Sequence, residues 1–191
     1  QATNRGGVAS AMVFVGEELA YQITDKPVLF DVAYAFRPPY IGNFFNYPIE
    51  GMKEYDLAEL PGLMIAAKEG YQMAGITSED IDVVQVHDLT AYEGMMAIEA
   101  IGICEIGKGK DYVLSGGMSL ESNCPINTYG GGPAFGHGSA GSDFQAGLLE
   151  NFWQIRGECD ERQVKDARIG VNTSYGTHHS LDAIGILQKG W

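Results

Sequence analysis

The sequence predicts an α/β fold. Short β-branched runs alternate with longer stretches whose apolar residues recur at helical spacing, the pattern of a largely parallel sheet covered by helices. Apolar residues make up 45% of the chain and charged residues 19%, enough to fill a core and too little polar bias for disorder. The length, 191 residues, suits one domain or one large half of a two-part fold.

The elements follow in order. Residues 8–15, VASAMVFV, predict a short buried strand, and EELAYQI after it a short helix. KPVLFDVAYAF (26–36), opened by Pro27, predicts a second strand. RPPYIGNFFNYPIEGM (37–52) is a loop rich in Pro, Gly, Asn and aromatics, either packed on itself or forming a wall of a ligand site. DLAELPGLMIAAKEGYQMAGI (56–76) has helical spacing and ends near Gly75, which suits the left-handed position past a helix end. IDVVQV predicts a strand that ends at His87 and Asp88, and LTAYEGMMAIEAIGI (89–103) returns to helix. GSAGSDFQAGLLENFWQI (138–155) predicts a helix with little charge on any face, which calls for burial on all sides. ARIGVNTSYG and SLDAIGILQKG predict two strands around a hairpin-like turn at THH, whose His178 and His179 are either solvated or line a pocket.

Charge and cysteine usage exclude several functions. The net charge of −13 and a pI of about 4.5 repel phosphate backbones, so nucleic-acid binding is not expected. No apolar run approaches the roughly 20 residues of a membrane span. Cys104, Cys124 and Cys159 are scattered with no C-x-x-C pair, which predicts neither a zinc ribbon nor another metal site and fits a reducing cytoplasm.

Three positions stand out for chemistry. His87 ends a strand, where ligands of α/β sheets collect. Tyr175 ends another and precedes Gly176. His137 sits between Gly136 and Gly138 at a helix start, where the helix dipole favours the neutral imidazole that a general base needs. The glycine-dense stretch NTYGGGPAFGHGSAG (127–141) is not a P-loop, because His-Gly-Ser stands where Gly-Lys-Ser/Thr is required. Within it Tyr129 lies either in the core or points its hydroxyl into the site, beside Asn127, Gly130 and Gly131.

QVHDLTAYEG, PINTYGGGPAFGHGSAG and the terminal hairpin resemble, in order and spacing, the C-terminal half of thiolases. The branch they resemble includes sterol-carrier-protein thiolases, archaeal acetyl-CoA acetyltransferases, related acyltransferases and thiolase-like steroid aldolases. Its H-D-x-F motif reads His87-Asp88-Leu89-Thr90 here, and its glycine–histidine motif runs from Asn127 to Gly141 with Gly138 in place of proline. The resemblance implies the C-terminal half of an αβαβα layered sandwich with a mixed sheet. Residues 1–25 would be the last strand and helix of the N-terminal half, and 26–191 the C-terminal domain.

The resemblance also implies a reaction that makes or breaks a carbon–carbon bond in an acyl-CoA thioester, with coenzyme A entering as substrate and no resident cofactor. The nucleophilic cysteine of thiolases lies in the half this sequence lacks. A second polypeptide or a homologous half would therefore supply it, and a small zinc-ribbon/OB-fold protein is a further partner that the branch implies. Both positions for a second catalytic cysteine are filled otherwise, by Leu89 and by the Tyr175-Gly176 turn. In the acyl-transfer reading His137 deprotonates the partner's cysteine, His87 holds a thioester oxygen, and Tyr175 supplies a proton. In the alternative, a retro-aldol lyase, Tyr129 and Tyr175 carry the proton transfers and no acyl-enzyme forms. A non-catalytic structural subunit is the third alternative.

Overall fold

One four-stranded sheet, ordered β1-β4-β3-β2, positions everything else in this computed structural model, which describes residues 11–36, 59–132, 142–175 and 181–190. β1 spans Val28–Phe36, β2 Val83–Gln85, β3 Ile169–Tyr175 and β4 Leu181–Lys189. The described helices are α1 (Glu17–Ile23), α2 (Pro61–Ala74), α3 (Ala91–Ala100), α4 (Gly109–Leu114) and α5 (Ser142–Arg156). The fold class is α/β, and the sheet is mixed. Among the four described strands only β2 and β3 pair in parallel, Val83 opposite Gly170 and Gln85 opposite Asn172. β4 returns beside β3 and β1 joins its other edge, both antiparallel, so the largely parallel sheet suggested by the strand–helix alternation is not what forms. A short connection between β3 and β4 permits nothing else, because a parallel return needs a crossover of a dozen residues or more.

Strand alternation sorts the sheet into two faces. Val84, Val86, Val171, Ile184 and Ile186 point to the side covered by α2 and α3, where they join Leu63, Ala66, Ala67, Ala97 and Ile98 in the main core. α2 starts with Pro61 in its first turn and stops at Gly75, whose φ of 70° is the left-handed cap expected there.

The opposite face is narrower and carries α5. Glycines let the helix approach closely: a Cβ on Gly147 would stand 2.9 Å from Gln85 Cβ, and one on Gly170 2.9 Å from Asn151 Cβ. α5 is not apolar all round as predicted. Glu150, Asn151 and Gln154 are buried on it. Asn151 Oδ1 accepts from Gln85 Nε2 at 3.2 Å while its Nδ2 meets no partner among the described residues; Glu150 and Gln154 are tolerated because partners meet them. Thr128 donates to Glu150 Oε1 at 2.8 Å, Arg162 Nε donates to the same oxygen at 3.1 Å, and Gln154 Oε1 accepts from Val164 N at 2.7 Å. Gln85 Nε2 donates to Thr128 Oγ1 at 3.0 Å and ties β2 into this network.

α1 forms over the predicted residues, yet none of it is buried. The strand expected at 8–15 does not form over its described part: residues 11–16 are without regular structure. Val13 is 88% and Phe14 60% exposed, with Phe14 touching the Phe30 ring at 5.2 Å between centroids. The segment has β-forming residues but, among the described residues, no strand pairs with it. The loop expected at 37–52 and the THH turn lie outside the described residues.

Candidate functional site

β2 runs parallel to β3, so their carboxyl ends lie side by side. This places His87, two residues past β2, beside Tyr175, the last residue of β3. Their rings meet edge to face, with centroids 4.3 Å apart and planes at 70°. His87 is buried, and its backbone N–H donates to Thr173 Oγ1 on β3 at 3.1 Å. Two neighbouring strand ends thus offer an imidazole and a phenol within one small volume.

The turn after Pro125 completes the floor. Ile126 bridges Val84 in parallel, and Asn127 N donates to the Val84 carbonyl at 2.8 Å. Asn127 then turns with φ 53°, a conformation that asparagine tolerates better than most residues. Its side chain is committed at both ends: Oδ1 accepts from Val86 N at 2.8 Å, and Nδ2 donates to Asp88 Oδ2 at 2.8 Å. The other oxygen of Asp88 accepts from Gly132 N at 2.7 Å. Gly131, at φ 65°, is the one residue type that fits here, since any Cβ would run into the Asp88 carboxylate and the Asn127 amide. Asp88 is therefore a clamp between β2 and the glycine turn.

A carboxylate that the sequence alone does not single out joins the site. Tyr175 Oη donates to Glu93 Oε1 at 2.7 Å. Thr90, the N-cap of α3, accepts from Glu93 N at 3.2 Å and donates its hydroxyl to Glu93 Oε2 at 2.9 Å. The Thr-x-x-Glu spacing at 90–93 is a capping-box signature visible in the sequence. Nothing in that signature announces that the glutamate also meets a tyrosine 82 residues away.

Of the residues predicted for the site, His87, Tyr175, Asn127, Gly130 and Gly131 are brought to these two strand ends and the turn beside them. Tyr129 is half-buried in that turn and Gly130, at φ 105°, is exposed. His137 and Gly176 lie outside the described residues, as do His178 and His179.

The three thiols are unsuited to nucleophilic work. Burial pushes Cys104 up to about 11, with Glu99 adding to it, and Cys124 up to about 12, with Asp82 adding to it. Burial and then the Glu150 carboxylate push Cys159 up to about 12. Cys159 is fully buried, although its neighbours in GECDER are charged: the thiol turns inward against Glu150, as does the Arg162 guanidinium, while Glu158, Asp160 and Glu161 are exposed. Among the described residues no three His, Cys, Asp or Glu side chains group closely enough to hold a metal ion. None of the described helices is long and apolar enough to cross a membrane.

Comparison with known proteins gives consistent matches. A family described as thiolase C-terminal domain-like matches residues 50–189. An acetyl-CoA acetyltransferase of Methanothermobacter thermautotrophicus is 29% identical over 181 residues, 95% of this chain and 45% of that protein. Human sterol carrier protein 2 is 34% identical over 111 residues, 58% of this chain and 20% of that protein. Among solved structures, an Ltp2-ChsH2(DUF35) aldolase superposes with a TM-score of 0.72 at 20% identity, over 91% of this chain and 42% of the other. The chain spans less than half the length of each of these proteins.

Proposed function

The chain belongs to the thiolase C-terminal domain-like family, and from that premise we propose that it is one half of an enzyme that makes or breaks a carbon–carbon bond beside the carbonyl of an acyl-CoA thioester. The observation that carries this is the pairing of His87 and Tyr175 at adjacent strand ends, 4.3 Å apart and floored by the Asn127–Asp88 turn. An imidazole N–H beside a thioester oxygen stabilises the enolate that both bond formation and bond cleavage pass through. A donor of this kind is worth about 3 kcal/mol of barrier. Tyr175 stands where it can move a proton to or from that enolate.

The reading is acyl transfer, with the nucleophilic cysteine on a second, homologous half. Support comes from the archaeal acetyl-CoA acetyltransferase, which matches 95% of the chain, and from the raised thiols, which leave no nucleophile among this chain's own cysteines. His137 would deprotonate that cysteine. Coenzyme A is substrate here and no resident cofactor is invoked. The structurally similar aldolase is named for two components, Ltp2 and ChsH2(DUF35), which supports a hetero-oligomer; a zinc-ribbon/OB-fold protein is the type of partner the family resemblance implies. Three free cysteines fit a reducing, cytoplasmic setting.

A second reading, retro-aldol cleavage of a β-hydroxyacyl-CoA, is favoured by one observation: the phenol of Tyr175 donates to a carboxylate, that of Glu93, which suits it to proton transfer. One assay separates the two. The chain is combined with the half that completes it and given a 3-ketoacyl-CoA plus coenzyme A, or a branched β-hydroxyacyl-CoA. Thiolysis of the first that iodoacetamide abolishes supports acyl transfer. Release of a ketone from the second, insensitive to iodoacetamide, supports the lyase. Turnover of neither overturns the proposal.

A further inference from the structure

An ordinary phenol titrates near 10, so Tyr175 by itself donates protons at neutral pH and does not accept them. Enolate formation needs an acceptor. Glu93 is the group within reach that alters this. Its carboxylate is held by two hydroxyls on different elements, Tyr175 on Oε1 at 2.7 Å and Thr90 on Oε2 at 2.9 Å. Swinging away would break its bond from the hydroxyl of Thr90, the N-cap of α3, as well as the one from Tyr175.

We propose that Glu93 is a positioning residue that turns Tyr175 into a proton acceptor at neutral pH through a two-step relay. A proton leaves the substrate, either from the carbon beside the thioester carbonyl or from a β-hydroxyl, and bonds to Tyr175 Oη. The phenolic proton moves at the same time to Glu93 Oε1. When the proton leaves carbon, its electron pair stays on the substrate as the enolate; when it leaves the β-hydroxyl, the oxygen pair forms the carbonyl of the released ketone and the pair of the breaking carbon–carbon bond becomes the enolate. In both cases Tyr175 stays neutral and Glu93 becomes neutral. The reverse step reprotonates the product and restores the carboxylate. No oxidant, metal or further reactant is required. The ionisable groups around the phenol are His87 and Asp88 after β2, Glu93 on α3, and Asp182 on β4, the register partner of Tyr175. Of these, Glu93 holds the phenolic proton. The inference rests on the thioester reading above and adds the origin of the base.

Two measurements on the complete enzyme test it. The first follows deuterium exchange into the α-carbon of acetyl-CoA and octanoyl-CoA across pH. Glu93→Gln keeps the shape and the acceptor oxygen but cannot take a proton. Its exchange rate is expected to fall about 100-fold at neutral pH and to recover towards the alkaline range of a lone phenol. Glu93→Asp, which retains the carboxylate, restores part of the neutral rate. An unchanged profile in Glu93→Gln overturns the relay. The second measurement is the tyrosinate absorbance titration, with Tyr175→Phe identifying the Tyr175 signal. Removing the neighbouring negative charge makes the phenolate easier to form, so that signal shifts to lower pH in Glu93→Gln. A titration that does not shift overturns the dyad whatever the activity. A shifted titration with no exchange in the unaltered enzyme overturns the thioester reading and leaves the dyad standing.

Discussion

Asn127 Nδ2 donates to Asp88 Oδ2 at 2.8 Å while Asn127 Oδ1 accepts from Val86 N at 2.8 Å. The amide cannot flip without losing both bonds. The orientation of the glycine turn relative to β2 is therefore fixed by two residues that a sequence reader would take for a catalytic motif and a turn former. The H-D pair divides its labour: His87 faces the site, and Asp88 holds the floor in place.

Asp88→Asn is accordingly expected to destabilise the protein by about 2 kcal/mol. Asp88 accepts at both oxygens, from Asn127 Nδ2 and from Gly132 N. An asparagine replaces one acceptor with a donor, which must then face another N–H. Urea unfolding of the variant measures the loss. An unchanged midpoint would show that the clamp is not a source of stability.

Gly131→Ala is expected to cost more, about 2–4 kcal/mol. The backbone sits at φ 65°, where a side chain is strained, and the new Cβ would stand 2.8 Å from Asn127 Nδ2. Gly130→Ala, in the same turn, at φ 105° and exposed, is the comparison for backbone strain at a solvent-facing position. Paired unfolding curves distinguish the two terms, and equal losses would contradict the clash.

Much of this site is legible in the sequence because strand ends are local features. The β-branched runs place His87 and Tyr175 at strand termini, and the residues around Gly75 stop α2 where a left-handed cap forms. What is not legible is long-range pairing. The antiparallel return of β4 beside β3 follows from their short connection, but the seating of β1 on the other edge of β4 does not. Glu93 reads as a helix cap until β3 brings Tyr175 to it. The spacing of 138–155 calls for a buried helix but does not show that the carboxylate of Glu150 is buried with it, because its partners Thr128 and Arg162 lie 22 and 12 residues away. Residues 8–15 read as a strand because composition reports propensity and not the presence of a pairing edge; their described part, 11–15, forms none.

Stability is expected to fall at alkaline pH. Cys124 is partly buried and its thiol is raised from 9 to about 12, so the folded chain holds a proton that the unfolded chain releases first. The stabilisation is fully present below about pH 9 and is lost as pH rises towards about 12. Within that window one such proton gives a slope of about 1.4 kcal/mol per pH unit. Unfolding free energies measured at intervals across it should decline, and Cys124→Ala should flatten the decline. A Cys124→Ala slope equal to the parent's would assign the loss to other groups, such as Tyr112, also raised to about 12 by burial.

The exposed apolar run before α1 gives the last prediction. Val13 is 88% exposed and Ile23, at the end of a helix with no buried residue, is 60% exposed. If a homologous half completes the enzyme, this run is where its sheet would continue. Val13→Asp is then silent for the chain's own fold, within about 0.5 kcal/mol, because the side chain already faces solvent. In the complete enzyme the same aspartate is carried into an apolar contact without a partner, which costs several kcal/mol. Association of the two halves, measured by sedimentation at a series of concentrations, should weaken at least tenfold. Lys26→Ala, an exposed change nearby whose 3.8 Å ion pair with Glu158 contributes little, serves as the control. Equal affinity for the Val13→Asp and parent chains would place the second half on another surface.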